Sequence, residues 1–293
     1  MAKLDARPWV GGVSLVSYGV RLGVRVDDEA LLDQLPFYLP PVRTRPTTPV
    51  VDHLFSLCTI RRDGTRAERS ATRVYEGHRM VARRTALDPS MQLDLLRSCL
   101  EFHIASTAQS WLFVHAGVVG WRGRAILIPG RSRSGKTSLV TALVRAGATY
   151  YSDELAVLDG LGRVHPWARP LRIRRPGVLP QSHPVETLGG RAGRRPLPVG
   201  LIVVTAYRAG ARWQPRALSP GQMLLALMEN TLMARSRPER TLKILARAVR
   251  GARALKGRRD EAEALAATLL SNESVVTRDG NRSRHRTAEE ELV

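Results

Sequence analysis

The stretch Ala125-Ile126-Leu127-Ile128-Pro129-Gly130-Arg131-Ser132-Arg133-Ser134-Gly135-Lys136-Thr137-Ser138-Leu139-Val140 decides how the rest of the chain is read. Ala125 to Ile128 is uninterrupted apolar sequence, the pattern of a strand buried on both faces. From Thr137 to Arg145, Leu139, Val140, Leu143 and Val144 recur at helical spacing, and Gly147 supplies a C-terminal stop. Between strand and helix, Gly130 to Thr137 fits G-x-x-x-x-G-K-[ST] at every fixed position. The glycines of such a loop let the backbone curl so that several N–H groups point at one phosphate. The helix that follows adds its N-terminal dipole. Lys136 can reach the β- and γ-phosphates, and the Thr137 hydroxyl is placed to ligand magnesium. Gly130, Arg131, Ser132, Arg133, Ser134, Gly135, Lys136 and Thr137 are therefore expected to bind a nucleoside triphosphate, ATP with Mg2+.

A nucleotide site of this kind needs an acid near the metal. Asp159 ends the apolar run Leu155-Ala156-Val157-Leu158, but Asp159-Gly160 is also a strong turn dipeptide, and the turn is the better reading. Asp153 and Glu154 follow the short strand Ala148 to Ser152, just after the helix. Adjacent acids there, in so basic a chain, point to the site. His115 lies between Val114 and Ala116 on the strand before the glycine loop. Taken alone, a histidine there reads more readily as a core residue than as a catalytic one.

Working outward, Trp111 opens the part of the chain that holds the loop. Leu112 to Val119 is a strand and Gly120 to Gly123 a turn. Val164 to Gly200 is dense in proline and glycine and reads as a long loop with one strand at Leu171 to Ile173, long enough for a lid or a peptide-binding loop. Leu201 to Thr205 is a buried strand. Three helices are expected at about 220–234, 238–255 and 261–271. The first starts at the capping box Ser219-Pro220-Gly221-Gln222. Upstream, short alternating runs around Tyr18-Gly19, Leu54 to Ile60, Thr72 to Tyr75 and Arg79 to Arg83 read as strands, with turns at Asp63-Gly64 and Glu76-Gly77. Pro36, Pro40, Pro41, Pro46 and Pro49 mark a loop. A helix with Ser90 as N-cap carries Leu93, Leu96, Leu100 and Ile104. The expectation is an α/β fold: a small α+β domain over 1–110, a phosphate-loop domain over 111–272 with a helical C-terminal end, and a flexible tail over 273–293.

Composition narrows the partners. The chain has 293 residues and a formal net charge of +20. Lys3, Lys136, Lys243 and Lys256 are the four lysines, which leaves 42 of the 46 basic residues as arginine. The arginines are scattered, with no stripe and no interleaved aromatics, so nucleic acid is not favoured as a partner. The excess charge suits polyphosphate and an anionic acceptor. No run approaches the roughly 18 to 20 apolar residues of a membrane span, and Met1 to Pro8 does not read as a signal peptide. Cys58 and Cys99 make neither a metal-ligand pattern nor a disulfide framework. A cytoplasmic protein is expected, and a homo-oligomer is compatible with it.

Phe113-Val114-His115-Ala116-Gly117-Val118-Val119, then Ile126 to Gly130 with the loop, then Gly147 and Ser152-Asp153-Glu154, resemble the C-terminal domain of HPr kinase/phosphorylase. They resemble more closely the HPr-kinase-related proteins of peptide-modification systems, including lasso-peptide kinases. Val164-His165-Pro166-Trp167-Ala168-Arg169-Pro170-Leu171-Arg172-Ile173 is similar to a further segment of those relatives. The resemblance covers 111–175 well, 200–270 loosely and 1–110 only in general layout. It implies transfer of the γ-phosphate of ATP to a serine hydroxyl of a peptide or protein acceptor. It implies that Asp153 is the base for that hydroxyl and that His115 assists it. Glu154 stands where the family has a second aspartate, so the division between base and metal ligand, shared with Thr137 on the metal side, stays open. The glycine-rich C-terminal motif used in phosphorolysis is not evident, so neither HPr as acceptor nor the reverse reaction carries over. A non-catalytic ATP-binding scaffold of a biosynthetic operon is the alternative.

Overall fold

The computed structural model describes residues 2–48, 50–60, 71–85, 88–131, 134–175 and 178–271. Asp63-Gly64, Ser132, Arg133 and the 273–293 tail fall outside the described residues. The chain divides into two compact units, Met1–Trp111 and Leu112–Val293. No helix among the described residues is long and apolar enough to cross a membrane.

In the first unit, α1 (Ala2–Asp5) precedes β1 (Gly11–Ser17) and β2 (Val20–Val26). These pair antiparallel through a turn in which Tyr18 and Gly19 both have positive φ, 51° and 82°, the backbone that a two-residue hairpin demands. α2 (Glu29–Tyr38) then crosses over, so that β3 (His53–Ile60) lies parallel to β2. β4 (Ala71–Glu76) and β5 (Arg79–Thr85) complete a sheet in the order β1-β2-β3-β4-β5. α3 (Pro89–Thr107) packs on this sheet and on α2, with Leu93, Leu96, Leu100 and Ile104 fully buried.

Two expectations are corrected here. The proline-rich loop begins only after Tyr38, because α2 runs through Pro36. Near a helix C-terminus a proline removes a single hydrogen bond, and burial of Leu31 and Leu35 outweighs that loss. The cap of α3 is Asp88, whose carboxylate accepts from the Ser90 N–H at 2.7 Å. Ser90 is thus the capped residue, with Pro89 at the first helical position.

In the second unit the elements run β6 (Leu112–Trp121), β7 (Arg124–Pro129), α4 (Lys136–Arg145), β8 (Thr149–Ser152), β9 (Leu155–Leu158), β10 (Val164–His165), β11 (Leu171–Arg175) and β12 (Val178–His183). A 3-10 turn follows at Val185–Leu188. Then come β13 (Val199–Tyr207), β14 (Arg216–Ala217), α5 (Pro220–Met228), α6 (Pro238–Val249), β15 (Arg253–Arg259) and α7 (Ala262–Ser271). The main sheet has the order β10-β9-β6-β7-β13-β15-β14, and β8 also pairs with β6. β7, β13 and β15 are mutually parallel.

Both faces of this sheet are covered. Ile126 and Ile128 point to a core shared with Leu139, Leu143 and Val144 of α4 and Leu265 and Leu269 of α7. Ala125 and Leu127 point to the opposite core, with Leu227 of α5 and Leu245 and Ala248 of α6. This is why β7 reads as an unbroken apolar run. Leu143 is fully buried, and truncating such a leucine to alanine costs about 2–5 kcal/mol.

The long loop expected from Val164 to Gly200 is largely structured: it contains β10, the β11–β12 hairpin and the 3-10 turn, and Trp167 is fully buried. The C-terminal end is not all helix. α5 stops at Met228 and α6 at Val249, and residues 253–259 form β15. Gly251, at φ 77°, ends the helical path. Parallel pairing with β13 then overrides the helical propensity of Ala254 and Leu255.

Candidate functional site

The loop from Gly130 leaves β7 at the carboxyl end of the parallel strands β7 and β13, the end where ligands bind in open α/β sheets. The Gly130 N–H donates to the His115 carbonyl at 3.3 Å, which ties the loop entrance to β6. Gly135 is the N-cap of α4 and has φ 85°, a conformation open to glycine and strained for other residues. Gly117 on β6 lets α4 approach, since a Cβ there would stand 2.6 Å from Val140 Cγ2 and 3.7 Å from Lys136 Cβ. Lys136 is buried. Its ammonium donates to the carbonyls of Gly130 at 2.7 Å and Arg131 at 2.9 Å. Burial pushes the lysine below its usual range, and the carboxylates of Glu154 and Asp153 oppose that shift.

The acidic corner comes from an irregularity in strand pairing. β6 pairs with β9 over Leu112 to His115 and with β8 over Val118 to Gly120. Asp153 and Glu154 make the corner between those two partners, opposite Ala116 and Gly117. Ser152 builds it: its hydroxyl accepts from the N–H groups of Glu154 at 3.1 Å and Leu155 at 3.0 Å. The Ala116 N–H donates to the Glu154 carbonyl at 3.1 Å.

Asp153 receives two hydroxyls. Thr137 Oγ1 donates to its Oδ2 at 3.0 Å, and the Tyr150 hydroxyl donates to its Oδ1 at 2.9 Å. Burial raises the Asp153 carboxyl above the usual range, while these two bonds hold it down and the Glu154 charge adds to the rise. Tyr150 is fully buried, and burial together with the Asp153 charge keeps its phenol protonated.

His115 is half-buried on β6. Its backbone N–H donates to the Asn230 carbonyl at 2.7 Å, in the segment after α5 that bridges to β6 at Val114 and Thr231. Burial lowers the imidazole below its usual range, Lys136 lowers it further, and Glu154 opposes both. The ring is therefore neutral at pH 7 and stands in the field of Lys136 and Glu154. The structure thus gathers His115, Lys136, Thr137, Asp153 and Glu154 around the exit of the loop. Asp159 lies at the other end of β9 and closes a turn there.

Sequence reading missed two side chains. Tyr150 carried no signal beyond its place in a short strand. Arg259, the last residue of β15, is buried, and its guanidinium donates to the Gly135 carbonyl at 3.0 Å and the Asp260 carbonyl at 2.8 Å. The one usable cue was Gly251, which stops α6 and frees the following residues to form a strand.

Two glycines of the loop are closely enclosed. A Cβ at Gly130 would stand 2.6 Å from Ser134 Oγ, and one at Gly135 would stand 2.4 Å from Arg259 Nη2; both neighbours are side-chain ends that can shift, so the positive φ of Gly135 is what favours glycine there. The oxygens of Thr137 and Asp153, with Glu154 beside them, form the hard-donor set that magnesium prefers.

No protein-family model matches the chain, and no curated protein matches it in sequence. Among solved structures, the Hpr(Ser) kinase/phosphatase from Coxiella burnetii aligns with a TM-score of 0.33 and 16% identity, over 56% of this chain and 96% of that one. A likeness of that size assigns no activity, and the site is read from its own residues.

Proposed function

We propose that this chain is an ATP-dependent kinase that transfers the γ-phosphate to a serine hydroxyl of a peptide or protein acceptor. The observation that carries the proposal is the Thr137–Asp153 hydrogen bond. It joins the end of the glycine loop to the acidic corner, so phosphate donors and carboxylates share one site. ATP supplies the phosphoryl group, and magnesium spreads the charge that develops on it. Phosphoryl transfer asks the protein for position and charge more than for covalent chemistry. Lys136 and the loop N–H groups supply both.

In the transfer, the acceptor oxygen bonds to the γ-phosphorus, the bond to the β-phosphate bridging oxygen breaks, and the hydroxyl proton passes to a carboxylate. Two carboxylates stand ready for two tasks. Asp153, held by Thr137, lies on the side where Thr137 would hold magnesium. Glu154, in the field of Lys136 and neutral His115, is the carboxylate less engaged by neighbours. This allocation reverses the one implied by family resemblance, and the two are separable by experiment.

The decisive assay incubates the full chain with magnesium, labelled ATP and a panel of serine-containing peptides, read by mass spectrometry. Phosphoserine on an acceptor is the expected result. Intact ATP and unmodified peptides throughout the panel, with nucleotide bound, would replace the kinase reading by that of a nucleotide-binding scaffold.

A further inference from the structure

The first unit holds a second cluster of chemistry-bearing side chains that the phosphate site does not use. His53 opens β3, Glu76 closes β4, and His103 lies on α3. Phe55 pairs directly with Glu76 across the sheet, and residues two apart on a strand share a face, so His53 and Glu76 lie on the same side. His103 meets that side from the helix: its ring stands 4.1 Å from that of His53 and 5.2 Å from that of Phe55, both edge-on. The two Nδ1 atoms converge on one carboxylate oxygen. His53 Nδ1 is 3.4 Å and His103 Nδ1 3.1 Å from Glu76 Oε1.

We propose that His53, Glu76 and His103 form a binding site for a divalent transition metal of the zinc class, with the fourth position left to water or an exogenous ligand. The spacing supports this. Ligands about 2.0–2.1 Å from a tetrahedral zinc are about 3.3 Å from each other, a value that lies between the two separations of 3.1 and 3.4 Å. The ligand atoms of all three residues lie within 4.8 Å of one another.

The surroundings support it too. A metal-bound histidine usually engages its other ring nitrogen, which fixes the tautomer. Here Thr107 Oγ1 lies 3.3 Å from His103 Nε2, one further turn along α3. The second oxygen of Glu76 accepts from Arg79 at 3.2 Å, leaving Oε1 to the histidines. Imidazole donors select against magnesium and calcium, which take oxygen. The site is therefore chemically distinct from the phosphate loop, and it stands or falls independently of the kinase reading.

The test uses the full chain freed of metal with a chelator. Zinc chloride is titrated in competition with a chromophoric chelator, and cobalt(II) is followed by absorption. One equivalent of zinc is expected with a Kd of about 1 µM or tighter, with cobalt bands of four-coordinate intensity. His103→Gln and Glu76→Gln should each weaken zinc at least about 100-fold, and Thr107→Val about tenfold, as loss of an outer hydrogen-bond partner does. Circular dichroism checks that the variants fold. Should a glutamine variant not fold, His53→Asn, at the more exposed rim, carries the same 100-fold expectation. An absence of zinc binding up to about 100 µM overturns the site in favour of a plain hydrogen-bonded cluster. So does an equivalent retained at wild-type affinity by the folded variants.

Discussion

The strand β9 has an aspartate at each end, and the two are held in opposite ways. Asp159, after the strand, is satisfied by its own turn. Its Oδ1 accepts from the N–H groups of Leu161 at 2.9 Å and Arg163 at 3.0 Å, and its Oδ2 lies 2.9 Å from both Arg163 Nε and His165 Nε2. These donors lower its carboxyl below the usual range although burial works against them. Asp153, before the strand, meets two neutral hydroxyls brought from α4 and β8, and burial raises it. An ionised aspartate fully met by nearby donors is structural. One kept buried, under-neutralised and next to a phosphate loop has capacity left for a cation or a proton.

The largest expected effect tests whether that spare capacity faces a nucleotide. Lys136→Ala should weaken Mg·ATP at least about 100-fold, because on the proposed reading the buried ammonium serves as the loop's point charge for the β- and γ-phosphates. Calorimetry giving an affinity within a few-fold of wild type would remove the loop from the site and leave Asp153 an ordinary buried acid.

The second effect separates the two aspartates by activity. Asp153→Asn should cut phosphate transfer at least about 100-fold, the low end for a positioned acid–base group or its equivalent. Asp159→Asn should leave transfer within about twofold, as expected of a turn residue. The allocation of roles shows in the binding experiment. If Asp153 serves magnesium, its variant also loses the magnesium dependence of nucleotide affinity, whereas Glu154→Gln keeps it and loses transfer. The reverse pattern returns the base to Asp153, as the family resemblance implies.

The contrast also marks what could be read from the chain. The Ser219 cap and the Asp159-Gly160 turn are each written within a few residues, and local signals of that kind survive folding. What escaped was made by pairing. Arg259 meets Gly135 across 124 positions, and it does so because β15 enters the sheet beside β13, which no local pattern announced. His53, Glu76 and His103 come from three elements spread over fifty residues. α2 was hidden by a proline that its buried leucines override.

A third effect probes that long-range support. Arg259→Met keeps much of the side chain's bulk but leaves the Gly135 carbonyl without its guanidinium partner. The loss should cost about 1–3 kcal/mol in denaturant unfolding and weaken nucleotide about tenfold as the start of α4 loosens. Unchanged stability together with unchanged affinity would show that the loop holds its shape without β15.

The smallest effect is thermodynamic, and the two aspartates should differ in its sign. A carboxyl whose folded value lies below its unfolded value of about 3.9 binds fewer protons when folded. Stability then rises with pH through that window. Asp159 therefore contributes stability that is fully present above about pH 4 and is lost as pH falls toward its depressed folded value. Asp153 does the opposite. Its folded value is raised, so the folded state holds the extra proton, and stability is lost as pH rises from about 4 through that value. Asp159→Asn should thus lower stability at pH 7 by about 1–2 kcal/mol, the scale of hydrogen bonds to a charged group, and the deficit should shrink as pH falls below 4. Asp153→Asn should raise stability at pH 7 when magnesium and nucleotide are absent, because an amide needs no buried charge, and the gain should fade toward pH 4. The measurement is urea unfolding of both variants across pH 3 to 8 in the presence of a chelator. If Asp153→Asn were destabilising at pH 7 by as much as Asp159→Asn, both carboxylates would be structural, and the capacity assigned to Asp153 would have to be sought at Glu154.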